Sequence, residues 1–349
     1  MGKIRSATEP SGITFSRVAK IFVMKKILGM GNALVDVLIH LKDDTLLDRL
    51  RLPKGSMQLV DEKRVTEIMQ AVEGLPVTMV AGGSAANTIH GLANLGMDTG
   101  FIGSAGEDQW GEFYVNNLKE SKIEPVFYRS SKPTGRANAL LTPDSERTFG
   151  TFLGAATDLS PEFLSPEMFM GYSLFYIEGY MVQNHDLIRR ALHLAKAEGC
   201  LVSLDLASYN VVEENRGFLH SVIPGYVDFI FANEEEGRAF TGLKPEQAVA
   251  ELASLCPVAV VKTGRHGALA QRGQEVTSAP ALPVKAIDTT GAGDLFASGF
   301  LFAYLNGLSL TQCLEVGNLL ASKVISVTGS KVPAEQWSGI LEAIQSKKA

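Results

Sequence analysis

The chain has little of what staples, sorts or anchors a protein. Its three cysteines, Cys200, Cys256 and Cys313, stand far apart and form no C-x-x-C pair. That excludes a disulfide framework and a cysteine zinc site, and the thiols read as small buried apolar groups of a reducing compartment. The six histidines are scattered, with no H-E-x-x-H, so no zinc site is expected. No apolar run reaches membrane-spanning length. The first twenty residues lack a secretory apolar segment and a small-residue cleavage site, and a cytoplasmic protein is expected. A formal net charge of −6 argues against a general nucleic-acid or membrane-surface binder. G-x-x-x-x-G-K-[ST] is absent, which excludes a P-loop NTPase, and so is the protein-kinase signature set. Repeats, low-complexity tracts and long linkers are missing as well.

What remains is a folded α/β chain. Among 349 residues, hydrophobic ones make up 46% and charged ones 20%, enough for a sizeable core and too apolar for global disorder. Residues 1–23 differ in texture from the rest of the chain, because Met24-Lys25-Lys26-Ile27-Leu28 makes an ordinary protein start running into a strand. They read as a dispensable extension. From Tyr172 onward, apolar strands (Leu174–Ile177, Leu201–Asp205, Val227–Phe231, Val258–Lys262) alternate with helical stretches, which predicts a parallel sheet covered by helices. A buried strand is expected at Pro76–Ala81. Between Glu124 and Phe152 the texture changes: Val126–Arg129, Arg136–Thr142 and Arg147–Phe152 alternate apolar and polar residues, as antiparallel strands with one solvated face do. These predict a small sheet attached to the larger core, a candidate lid.

The chemistry concentrates in Asp288-Thr289-Thr290-Gly291-Ala292-Gly293-Asp294. Two carboxylates bracket a small glycine-bearing turn, and the apolar run after it, Leu295 to Leu305, predicts a helix. Helix N-termini carry unpaired N–H groups and a positive dipole end, which suits a phosphate. An aspartate beside such a cradle can accept a hydroxyl proton as a phosphoryl group arrives. Other polar residues fall at predicted strand ends, where ligands bind in parallel sheets: Glu178, Asp205, Asn233, Thr263-Gly264 and Gly82-Gly83. Gly29-Met30-Gly31 invites a dinucleotide reading, which fails. Leu34 stands at the third glycine position, and Val35 to Ile39 reads as strand where the fingerprint needs a helix. Asn32 and Asp36, polar in apolar surroundings, need partners, from the backbone or from a polyhydroxyl ligand. Gly82-Gly83-Ser84-Ala85-Ala86-Asn87 reads equally as a tight strand-to-helix turn or as a close approach to a ligand. Asn233 and Glu236 read as a helix cap or as an outer-shell magnesium contact.

Taken together, these motifs resemble the ribokinase-like (PfkB) carbohydrate and nucleoside kinases over residues 24–349. The resemblance rests on Gly82 to Asn87 with Leu95-Gly96, on Asp288 to Asp294, on Asn233-x-x-Glu236 and on Lys262-Thr263-Gly264. It implies a three-layer α/β sandwich with a mostly parallel central sheet and a small antiparallel β lid, formed by segments near 36–60 and 125–152. It implies Asp294 as base and Gly291, Ala292 and Gly293 as anion hole. Asp36, Gly82, Gly83 and Asn87, together with Asn32 and Glu178, would contact the acceptor. Asn233, Thr263, Gly264, Gly267 and Asn318 would line the nucleotide, and Glu236 would hold Mg²⁺ through water. Asp288 and Thr290 resemble part of a monovalent-cation site, often for K⁺.

The expected reaction is ATP- and Mg²⁺-dependent phosphorylation of a hydroxymethyl group. Gly31 to Asp36 resembles the opening of adenosine kinases, which favours a ribonucleoside. Glu178 favours a free sugar, as in a ribokinase, fructokinase or 2-keto-3-deoxygluconate kinase. A catalytically silent sugar- or nucleotide-binding regulator is the alternative of another class, and an intact base and anion hole argue against it. A homodimer through lid strands is expected, and no nucleic-acid or membrane partner.

Overall fold

The computed structural model describes residues 25–144 and 146–347; the expected extension at 1–23 lies outside them. The first half of the chain runs β1 (Lys26–Met30), β2 (Leu34–His40), α1 (Thr45–Arg49), β3 (Met57–Leu59), α2 (Glu62–Ala71) and β4 (Val77–Gly82). It continues with α3 (Ser84–Asn94), β5 (Asp98–Gly106), α4 (Gln109–Glu120), β6 (Ile123–Ser130), β7 (Gly135–Leu141) and β8 (Arg147–Phe152). The second half runs β9 (Tyr172–Glu178), α5 (His185–Ala197), β10 (Leu201–Asp205), α6 (Tyr209–Tyr226), β11 (Phe229–Asn233), α7 (Glu234–Thr241) and α8 (Pro245–Leu255). Then come β12 (Val258–Lys262), β13 (Ala268–Arg272), β14 (Glu275–Ala279), α9 (Ala292–Leu305), α10 (Leu310–Val324) and α11 (Trp337–Gln345).

Nine strands form the large sheet in the order β14-β13-β12-β11-β10-β9-β1-β5-β6. Pairing is parallel from β12 to β6, and β13 and β14 close one edge antiparallel. Apolar side chains on both faces of the parallel strands feed two separate cores under the covering helices, as a doubly covered sheet requires. Helix α9 is apolar all round, because it is enclosed between the sheet, α3 and α10. Its Phe300 meets Phe231 of β11 edge-on, with ring centroids 5.3 Å apart. Among the described residues, no helix is long and apolar enough to cross a membrane.

Three expectations need correction. The small sheet, ordered β3-β8-β7-β2-β4, is mixed rather than antiparallel: β2–β7 and β3–β8 pair parallel, β2–β4 and β7–β8 antiparallel. Strand β6, expected in the lid, is instead the parallel edge strand of the large sheet, paired with β5. An edge strand has a solvated side, so its alternation looked like a lid strand's. The strand expected to be buried at 76–81 is β4, an edge of the small sheet, where Val77 and Met79 are each 41% exposed. A short apolar run alone does not reveal burial.

The parallel register aligns the carboxyl ends of β9 to β12. Asp205 lies opposite Glu178 and Asn233 opposite Lys262. Helix α9 begins above this edge, and α3 packs directly on it. A Cβ at Gly91 of α3 would fall 2.4 Å from Ser298 Oγ of α9, so only glycine permits this approach. Gly91→Val is expected to destabilise the fold by about 1–3 kcal/mol through overpacking and to lower turnover at least tenfold, by moving α3 off α9. Thermal unfolding and steady-state rates check both; wild-type values for each would contradict this packing.

Candidate active site

The turn before α9 has the geometry of an anion cradle. Gly291 caps the helix in the left-handed region, at φ 76°, where a side chain would be strained and would press on Ser330 at 3.0 Å. Among the described residues, the N–H groups of Gly293 and Asp294 take no backbone partner. They stand free at the positive end of the helix.

Asp294 is recessed behind this turn and held from α3. Ser84 Oγ donates to Oδ1 at 2.7 Å, and Asn87 Nδ2 donates to Oδ2 at 2.9 Å. Ser330 Oγ in turn donates to Asn87 Oδ1 at 3.1 Å, which fixes the amide. Burial raises the Asp294 pKa to about 6, against the two donors, which lower it. The carboxylate is therefore basic enough to take a proton and ionised near neutrality, the combination a general base needs.

The acceptor side is built from β1, β2 and the β4–α3 turn. A Cβ at Gly82 would lie 2.2 Å from the Asp36 carboxylate, and one at Gly83 (φ 94°) would lie 2.3 Å from Asn32 O. The glycine pair thus admits the Asp36 carboxylate and lets two chains touch. Burial pushes Asp36 up to about 7, partly countered by Lys331. Lys331 itself is lowered to about 8 by burial, and its Nζ donates to Asn117 Oδ1 at 3.1 Å.

Glu178 lies deeper than Asp36. It is 1% exposed and accepts from Asn32 N, Asn32 Nδ2 and Ala85 N at 2.8–2.9 Å. It clamps the β1–β2 turn to the start of α3. Burial raises its pKa to about 7.

At the start of α7, Asn233 and Glu236 form a full capping box. Asn233 N and Nδ2 each donate to Glu236 at 2.7 Å, and Glu236 N donates back at 2.8 Å. Burial lifts Glu236 to about 7. Among the described residues, no group of three or more His, Cys, Asp or Glu side chains gathers for a metal. Glu236 would be the residue to hold a Mg²⁺ through water, since Mg²⁺ takes few direct carboxylates.

Thr263 N donates to Gly267 O at 2.8 Å, closing the loop after β12. A Cβ at Gly267 (φ 101°) would lie 2.0 Å from Ala279 O. Gly264 has φ 52° and nothing within 4 Å of a Cβ. Asn318 Nδ2 donates to Ala279 O and Pro280 O at 3.1 Å each, so its amide ties α10 to the wall of this loop.

The expected monovalent-cation ligands are already engaged. Arg147 of β8 makes an ion pair with Asp288, and its Nη1 donates to Thr290 Oγ1 at 2.7 Å. Asp288 also accepts from Thr290 N at 3.0 Å and Gly329 N at 2.5 Å. A fixed guanidinium supplies the positive charge there, and the donor set does not fit a free cation. Sequence reading missed Ser84, Lys331, Arg147, and the pairing of Asp205 with Lys262 at 2.9 Å. Ser84 lay within a motif already singled out; the others depend on contacts between distant segments.

A helix N-terminus with free N–H groups, the recessed Asp294 and the buried Asp36 carboxylate meet near the carboxyl edge of a parallel sheet, an arrangement that suits a phosphotransferase with an alcohol acceptor. Residues 57–337 match the family described as pfkB family carbohydrate kinase, and the chain belongs to that family. Adenosine kinase from Saccharomyces cerevisiae is 28% identical over 334 residues, covering 88% of this chain and 97% of that protein. Adenosine kinase from Sinorhizobium meliloti superposes with TM-score 0.81 at 31% identity, covering 93% and 99% of the two chains. A probable sugar kinase from Rhizobium etli gives TM-score 0.82 at 30% identity, with the same coverage.

Four site carboxylates, Asp36, Glu178, Glu236 and Asp294, have folded pKa values of about 6–7, raised above the ordinary carboxylate range. A raised acid favours folding while protonated, and that contribution is lost as pH rises through the folded value. Stability of the ligand-free protein is therefore expected to fall from about pH 4, the unfolded carboxylate value, to about pH 7. Melting curves in that window check it; a Tm that rises throughout would contradict the burial of these groups.

Proposed function

We propose that the protein transfers the γ-phosphoryl group of ATP to the hydroxymethyl of a ribonucleoside, with adenosine the preferred acceptor. The observation that carries this reading is the pair of hydrogen bonds from Ser84 and Asn87 to Asp294. They hold the base at the anion cradle, within electrostatic reach of the Asp36 carboxylate. Asp294 accepts the hydroxyl proton, the acceptor oxygen attacks the γ-phosphorus, and the bond to the β-phosphate oxygen breaks, releasing ADP. Amides of the Gly291–Ala292–Gly293 turn neutralise charge growing on the transferring group, led by Gly293, since Ala292 N donates to Thr289 O at 3.2 Å. Mg²⁺ supplies further charge neutralisation on the phosphates when bound.

Asp36 and Asn87 bind acceptor hydroxyls, and Gly82 and Gly83 let the acceptor approach the backbone. Asn32 and Glu178 shape that pocket through their mutual hydrogen bonds. Thr263, Gly264, Gly267 and Asn318 form the nucleotide wall, and Asn233 and Glu236 organise the phosphate side. The small sheet covers the acceptor and excludes water. The adenosine kinases among the relatives support a nucleoside acceptor, and the likeness to a probable sugar kinase supports a free sugar as the second reading. Exposed Met57 and Leu59 on β3, with Val77 and Met79 on β4, support a homodimer through the small sheet; a monomer in sedimentation equilibrium would remove that reading.

A panel of adenosine, inosine, ribose, fructose and 2-keto-3-deoxygluconate, assayed with ATP and Mg²⁺, identifies the acceptor. Adenosine is expected to give the highest kcat/KM, and phosphorylation of none would overturn the kinase reading. Asp294→Asn is expected to lower kcat by two or more decades while raising Tm by a few degrees. Its amide can accept from Asn87 and donate to Ser84 without the cost of a recessed charge. Turnover near wild type would reject Asp294 as base.

A further inference from the structure

Lys262, the last residue of β12, directs its ammonium across the carboxyl edge of the sheet. Nζ donates to Asp205 Oδ2 at 2.9 Å, and the two side chains are only 16% and 5% exposed. Asp205 is itself fixed, since Oδ1 accepts from Ala207 N at 3.0 Å. An ammonium carries three donors. Among the described residues, Asp205 is its one hydrogen-bond partner.

The other direction Lys262 faces is the anion cradle. A Cβ built at Gly293 would stand 3.1 Å from Lys262 Nζ and 4.0 Å from its Cε, and would meet nothing else within 4 Å. The missing side chain at Gly293 therefore leaves the ammonium open to the N-terminus of α9. That is where the free N–H groups of Gly293 and Asp294 lie.

Resting on the kinase reading, we propose that Lys262 is the phosphate-binding cation of this cradle and that Asp205 is its positioning residue. The two spare donors of Nζ bind non-bridging oxygens of the β- and γ-phosphates, opposite the helix amides. Charge on the transferring phosphoryl then meets an ammonium on one side and a helix N-terminus on the other.

A purely structural ion pair is the competing account, and it leaves two features without a cause. A pair kept for stability offers little over apolar residues of the same volume, and it has no need of open space at Gly293. Lysine also suits the task better than arginine would. Its compact charge sits on a flexible stem that can follow a phosphoryl group from donor to acceptor. Without a phosphate, Lys262 is surrounded by carboxylates: Asp205, Glu236 and Asp294 all raise its pKa, against burial, which lowers it. It therefore keeps its proton throughout the neutral range.

The test uses the full chain and its Lys262→Met, Lys262→Arg and Asp205→Asn variants. Binding of ATP, ADP and AMP with Mg²⁺ is measured by calorimetry, and turnover on the acceptor that the wild type accepts. Lys262→Met is expected to weaken ATP about tenfold or more, the worth of a charged hydrogen bond, and AMP less than twofold. It should lower kcat about a hundredfold or more with acceptor KM little changed. Lys262→Arg should recover part of the ATP affinity. Asp205→Asn should lower kcat by about tenfold while retaining most of that affinity, because the ammonium remains but is less well placed.

Equal weakening of ATP and AMP, or ATP affinity and kcat within threefold of wild type, would overturn the proposal. If Lys262→Met alone fails to fold, Lys262→Met with Asp205→Asn removes the stranded carboxylate and the same comparison is made. Nucleotide binding is read independently of turnover. Loss of ATP over AMP in a protein that phosphorylates nothing would sustain Lys262 while removing the kinase reading.

Discussion

Everything at this site depends on holding carboxylates where water would normally solvate them. Asp36, Glu178, Asp205, Glu236 and Asp294 gather around the carboxyl edge of the large sheet; Asp36 is offset there by the charges of Lys331 and Arg147, and the other four by hydrogen-bond donors. Glu178 is satisfied by three N–H donors, and Glu236 by the two N–H donors of its capping box. Asp205 has an ammonium, while Asp294 has a hydroxyl and an amide. Satisfying an ionised group in a low-dielectric site requires donors in fixed places. Helix α3 must therefore lie against α9, which is why Gly91 is glycine, while Gly82 and Gly83 admit Asp36 and Asn32 beside the start of α3.

The covering sheet is tied to the same centre. Arg147 leaves β8 to pair with Asp288 and to bond Thr290, in the turn that precedes the cradle. The small sheet and the phosphate turn are thus linked through one guanidinium. Asp288, the first acid of the motif, is a structural anchor for this link, distinct in role from Asp294 at the other end. The two acids are separated by five residues but by quite different surroundings, and the surroundings decide which of them can act as a base.

Much of this was readable from the chain alone. Period and composition marked the βα alternation of the second half, because solidly apolar strands between amphipathic helices have few other solutions. The Asp288–Asp294 motif announced a helix start after a glycine turn, because the apolar run from Leu295 predicts the helix that begins at Ala292. What escaped reading depended on contacts across the chain. Alternation in β6 came from being an edge of the large sheet, and local pattern cannot say which sheet a strand joins. Glu178 stands at a strand end in sequence, but its donors, Asn32 and Ala85, come from other segments and no local pattern announces them. Arg147 carries no sequence signal and Lys262 only its place before Thr263-Gly264; their pairings lie with partners 141 and 57 positions away.

The central claim is that Asp294, its pKa lifted by burial and restrained by two donors, is the base that receives the acceptor proton. The most direct measurement is the pH dependence of kcat/KM, which reports the free enzyme. A base must be ionised, so the rate should rise with pH through the Asp294 pKa of about 6, below the limbs of Asp36 and Glu236 at about 7, and the residual rate of Asp294→Asn should lack that lower limb. A profile flat between pH 5 and pH 8, or an identical limb in the variant, would contradict the account.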